Sequence, residues 1–197
     1  MNKFRSTVLF LTAVFFGATV APLSAQTPQP PRPRTSPHET VSTVLGERAT
    51  GNRITITYGR PYTKAPKTGE VRKIWGGLVP WDKPDRLGAD EATLLLTQKP
   101  LALGDGKTVI PAGAYTLYIV PSETGPSKLA FSKALGKWGV PVDETQDVAR
   151  VDLQKSPLEQ PVDQLTLAVE KAATGEAGTL KIQWETTQFS LPIASAK

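Results

Sequence analysis

The chain has 197 residues, a formal net charge of +5, one histidine and no cysteine. That composition excludes disulfides, cysteine nucleophiles, cysteine-linked lipid anchors, and zinc sites that need several His or Cys ligands from one chain. Basic residues are interleaved with Asp and Glu rather than clustered, so no nucleic-acid partner is expected.

Lys3 and Arg5 precede the apolar run Val8–Val20, Pro22 follows it, and Leu23-Ser24-Ala25 supplies a cleavage site. Charge, short apolar run and small residues in that order predict a secretory signal peptide over residues 1–25. The run falls short of the roughly 20 residues of a transmembrane helix. An uncleaved N-terminal anchor is the alternative, but no membrane span is expected in the mature chain. Cleavage removes Lys3 and Arg5 and lowers the net charge from +5 to +3. Export implies a periplasmic or extracellular location. Residues 26–37 (QTPQPPRPRTSP) are too proline-rich for a helix or a central strand and read as an extended linker. The remaining residues, 38–197, read as one domain, since a mature chain of this length buries roughly 70% of its unfolded surface. It needs no metal, cofactor or disulfide to fold.

Strand signals then dominate. Arg53–Tyr58 alternates, with Ile54, Ile56 and Tyr58 on one face. Ala92–Thr97 is a continuous apolar run that predicts a strand covered on both faces. Tyr115–Val120 is aromatic and β-branched. Val148–Leu153, Gln164–Val169, Thr179–Trp184 and Gln188–Ile193 alternate, and Trp184 continues the Leu180 and Ile182 face. Turn chemistry at Gly104-Asp105-Gly106, Pro111-Ala112-Gly113, Gly125-Pro126 and Thr174-Gly175-Glu176 separates them. No helical period of useful length is present; Ser132–Lys137 comes nearest. The fold class expected is all-β, a single antiparallel β-sandwich or jelly-roll-like domain.

Catalytic motifs are scarce. There is no nucleophile elbow, phosphate-binding loop or dinucleotide fingerprint. His38 reads as a surface or strand-edge residue that satisfies local hydrogen bonds. The polar centre carries more information. Alternation carries Tyr58, Arg60 and Tyr62 to the side of Ile54 and Ile56. A covered guanidinium needs a carboxylate or several acceptors, and Asp85, Asp90 and Glu91 follow as candidates. Between them stand Arg72, Trp75 and paired glycines, and Arg86 lies beyond. Arginines grip anionic or polar groups, and Tyr and Trp faces stack on sugar rings. The alternative is a structural ion-pair cluster closing one end of the sandwich. Adjacent strand residues diverge, so Asp90 and Glu91 make a poor glycosidase pair without a third carboxylate. A calcium site from Asp82, Asp85 and Asp90 lacks the usual ligand spacing, and no metal is expected.

The segments Tyr58-Gly59-Arg60-Pro61, Lys73–Pro80 (KIWGGLVP), Arg86–Thr93 (RLGADEAT) and Pro111–Leu117 (PAGAYTL), with Ser36-Pro37 and Thr40-Val41, resemble the bacterial exported domain-of-unknown-function family 2911. The resemblance covers about Ser36 to Ile193. It implies an exported, mostly β protein and brings no activity, substrate or cofactor. Members commonly have Trp before the arginine of the R-x-G-A-[ND]-E segment. Asp85 stands there in this chain, which implies a more polar pocket if that position lines one.

The expectation is therefore a non-enzymatic protein that binds a small or polymeric polar ligand, such as a polysaccharide. Its site would comprise Tyr58, Arg60, Tyr62, Arg72, Trp75, Arg86, Asp90 and Glu91. Arg60 and Arg86 would hold polar groups, Tyr62 and Trp75 would stack, and the two acids would orient the arginines. The alternatives are a polymer-directed enzyme using Asp90 or Glu91 as acid or base, and a structural or protein-interaction domain of the cell envelope.

Overall fold

The computed structural model describes residues 34–173 and 175–196; the expected signal peptide and most of the linker lie outside them. Ten strands follow in chain order. They are β1 (His38–Leu45), β2 (Asn52–Gly59), β3 (Thr93–Thr97), β4 (Leu101–Leu103) and β5 (Thr108–Ile110), then β6 (Gly113–Val120), β7 (Lys128–Ser132), β8 (Asp147–Asp152), β9 (Gln154–Lys171) and β10 (Ala177–Ser195). A short 3-10 turn at Glu144–Gln146 precedes β8. Two antiparallel sheets form, ordered β1-β2-β3-β6-β7-β8 and β5-β4-β10-β9. Among the described residues no helix is long and apolar enough to cross a membrane.

The inner faces are set by alternation. Ile54, Ile56 and Tyr58 of β2 are buried, as are Tyr115, Leu117 and Ile119 of β6. They join Leu165 and Leu167 of β9 and Leu180, Ile182, Trp184, Phe189 and Leu191 of β10 in one core. A sandwich core is built this way, from inward residues of both sheets.

β3 departs from its expected double coverage. Thr93, Leu95 and Thr97 are buried, while Leu94 is half-buried and Leu96 is 42% exposed. The outer face of the six-stranded sheet has no layer over Leu96. Over β6 and β7 that face is covered: Thr116, Tyr118, Ala130 and Ser132 are buried although their neighbours in sequence fill the core. The segment after β7 lies near them, with Thr116 Oγ1 donating to Ala134 O at 2.8 Å.

Two strands expected at 179–184 and 188–193 are one, β10. Glu185 adopts a left-handed φ of +56°, and the pairing to β9 shifts register on either side of it. The strand bends there without ending.

The long Arg60–Ala92 connection closes one end of the sandwich. It buries Ile74, Trp75, Val79 and Leu87. Trp75 meets Phe189 and Trp184 edge-on, with centroids 5.0 and 6.3 Å apart. Asp85 exchanges backbone hydrogen bonds with Ile119, both 2.8 Å, beyond the last β3 partner of β6. Gly59 is required by this packing: a Cβ there would stand 2.2 Å from the Ala89 carbonyl oxygen.

Candidate functional site

The eight residues singled out from sequence do not form one site. Tyr58 and Arg60 form a seam between the sheets. The Tyr58 hydroxyl donates to Glu39 Oε2 at 2.7 Å and accepts from the Leu167 amide at 2.9 Å. Burial, with the Glu39 hydrogen bond adding to it, pushes the phenol up to about 12. Arg60 donates to Leu165 O at 3.2 Å and Thr166 Oγ1 at 3.0 Å. Its carboxylate is Glu39, 3.3 Å away, rather than Asp85, Asp90 or Glu91. Glu39 stands opposite Tyr58 across the β1–β2 pair, which places the acid beside the next residue but one. A guanidinium so fully engaged holds strands together and has little left for a ligand.

Trp75 lies in the core, 7% exposed, so it presents no face on which a sugar could stack. Tyr62 bridges to Gln164 of β9, and its carbonyl accepts from Arg72 Nη2.

Arg72, Arg86 and Asp90 come together at a cleft of about 290 Å³ at the closed end of the sandwich, with Asp85, Trp138 and Trp184 in its walls. Arg86 Nη1 donates to the Asp90 carbonyl at 2.9 Å and the Trp138 carbonyl at 3.1 Å. These two bonds fix the guanidinium between the Asp82–Ala92 loop and the segment after β7. Asp90 adopts φ +62°, and its Oδ2 is buried without a hydrogen-bond partner. Burial raises the pKa of Asp85, opposed by the Leu87 amide and the Arg86 charge. Asp85 gives this wall a polar group. Trp138 and Asp85 were not among the site residues expected from sequence. Trp138 belongs to a segment with no periodicity, and its carbonyl accepts from Arg86 here.

Glu91 points elsewhere. It lines a second cleft, of about 340 Å³, with Tyr58, Arg34, His38, Thr57, Leu94 and Lys137. Arg34 Nε lies 2.9 and 3.1 Å from the two Glu91 oxygens, and Arg34 Nη2 also donates to Oε1. His38 Nε2 is 3.1 Å from Glu91 Oε2, outside hydrogen-bond geometry. The Arg34 hydrogen bond, more than any other cause, holds the Glu91 carboxyl below its usual range. The two clefts share no lining residue: the chain passes from one to the other between Arg34 and Thr35, and again between Asp90 and Glu91.

Asp90 and Glu91 thus do not converge. Nor do Asp82, Asp85 and Asp90 make a cation site, since no group of three or more His, Cys, Asp or Glu among the described residues is placed to hold a metal.

No curated protein and no solved structure matches this chain. Residues 36–193 match the family described as protein of unknown function (DUF2911), and with most of its length inside that match the chain belongs to this family.

Proposed function

We propose that this is an exported, non-enzymatic protein that binds a neutral, hydroxyl-rich ligand in the end cleft, either a small sugar or the end of a polysaccharide. The observation that carries this reading is Asp90, whose strained backbone and unpartnered carboxylate oxygen sit beside the clamped Arg86. Left-handed non-glycine residues and unpaired buried acceptors are costly, and they collect where a site requires them.

Charge balance names the ligand class. Two arginines, Arg72 and Arg86, face two aspartates, Asp85 and Asp90. A pocket with paired signs offers no net attraction to an anion. It offers donors and acceptors side by side, which is what a hydroxyl uses. Trp138 adds an apolar wall for the C–H face of a ring. Binding is favoured over acid–base chemistry by Asp90 and Glu91 because Glu91 lines a different cleft, which keeps those two carboxylates from acting on one substrate.

Thermal unfolding against neutral sugars, organic acids, phosphates and divalent cations tests this. A ligand at a hundredfold excess over its Kd stabilises the native state by about 2.7 kcal/mol. An upward shift with a neutral sugar, lost in Arg86→Gln, is expected. A shift with anions alone would make the cleft an anion site. No shift in any class would favour a structural or interaction domain.

A further inference from the structure

The second cleft has a different chemistry from the first, and none of the preceding reading depends on it. Its floor is set by sheet register. Thr57 of β2 pairs with Leu94 of β3, and Leu94 pairs with Thr116 of β6, so the three stand in one row across the outer face. Leu94 is the apolar member of that row and is only half-buried. Ala92 and Gly136 add small, nonpolar lining beside it.

The hydroxyls in the row are already engaged. Thr57 Oγ1 lies 2.9 Å from Thr40 Oγ1, and Thr116 Oγ1 donates to Ala134 O. Neither position demands a polar group from a ligand, so the floor favours a hydrocarbon.

The rim is charged, and its balance can be read from the pairs. Arg34 and Glu91 neutralise one another through their shared hydrogen bonds. The lowered Glu91 carboxyl keeps that pair ionised at neutral pH. His38 approaches the same carboxylate. Lys137 remains. Its side chain is exposed, and its ammonium has no hydrogen-bond or ion-pair partner among the described residues. The rim therefore carries one uncompensated positive charge above an apolar floor.

A neutral sugar would leave Leu94 unused, and a cation would be repelled by Lys137. An ion with a short hydrocarbon tail meets both surfaces. The volume of about 340 Å³ lies at the low end of the roughly 300–1,000 Å³ range of small-ligand sites. We propose that this cleft is a ligand site for a medium-chain amphipathic carboxylate, with the head group at Lys137 and the tail over Leu94.

Isothermal titration of the purified chain with decanoate tests this, with decanol as the matched uncharged probe. Saturable one-site binding of decanoate is expected, and decanol should bind far more weakly. Lys137→Ala should weaken decanoate about tenfold or more, the loss expected for one charge-assisted hydrogen bond. Lys137→Arg should restore most of the affinity. Leu94→Glu should abolish binding; because Leu94 is half-buried, the exposed Lys137 variants keep the test valid if that chain fails to fold. Decanoate affinity unchanged in Lys137→Ala would overturn the proposal, as would heat that never saturates. So would co-sedimentation with anionic phosphatidylglycerol vesicles without decanoate binding, which would make this face a membrane-surface contact.

Discussion

Asp90 holds two unfavourable features in one residue. Its left-handed φ of +62° costs about 1 kcal/mol for a side chain with a Cβ. Its buried, unpartnered oxygen costs about 1–3 kcal/mol more. Glycine would remove both, at the expense of greater freedom in the unfolded chain. Asp90→Gly is therefore expected to raise stability by about 1 kcal/mol in urea denaturation. It should also lose the sugar-induced thermal shift. A fall in stability would mean that the carboxylate holds the loop together, and the strain argument would fail. Residues also show where sequence reasoning stops. Alternation along β2 sent Arg60 toward a covered face and required an acceptor for it. The partner, Glu39, was hidden because β1 mixes polar and apolar residues on both faces, with Thr40 and Ser42 hydrogen-bonded to Thr57 and Thr55. The divergence of Asp90 and Glu91 followed from backbone geometry alone. The separate clefts that receive them did not, since Arg34 and Trp138 are far away in the chain.

At the scale of elements, the seam of β2 against β9 is the contact most exposed to a single substitution. The Tyr58 hydroxyl serves the Glu39 carboxylate and the Leu167 amide together. Tyr58→Phe keeps the ring in place and strands both partners. A loss of about 1–3 kcal/mol is expected, measured as a lower urea midpoint at unchanged slope. A neutral result would mean that water replaces the hydroxyl and that the seam rests on Arg60. The elements legible beforehand were those with strict alternation, a continuous apolar run or concentrated β-branched residues, namely β2, β3, β6, β8 and parts of β9 and β10. β4 and β5 are three residues each, too short for a periodic signal. The first half of β9 carries Pro157 and Pro161, which argue against a central strand. They are tolerated because β9 is the edge strand of its sheet, and the half that carries them pairs with β10 on one side alone. The break expected within β10 is the bulge at Glu185, which sequence patterns cannot distinguish from a turn.

For the whole molecule, the buried phenols set an alkaline limit. The Tyr58 proton is held to about 12 against an ordinary value of 10.0. Tyr118 is likewise raised, by burial first and then by its hydrogen bond to Asp147. Both groups bind protons more tightly when folded. Their contribution is complete below the ordinary tyrosine value and is lost as pH climbs through the folded values. Urea midpoints should therefore fall steeply between about pH 10 and pH 12, and less steeply in Tyr58→Phe. A limb unchanged by that substitution would assign the effect to Tyr118 or to lysines.

The four-stranded sheet has its C-terminal strand in the interior of its order, with β10 between β4 and β9. No earlier segment can stand in for it. Until Ala177–Ser195 is in place, β4 and β5 have no sheet to join, and the inner face bearing Ile54, Ile56, Leu117 and Phe131 lacks the Leu180, Ile182, Phe189 and Leu191 side chains that complete its cover. Folding thus passes through a half-built sandwich for as long as β10 is unplaced. Its apolar face is exposed to aggregation throughout that time, and loss of β10 parts β4 and β5 from β9 rather than removing one strand alone.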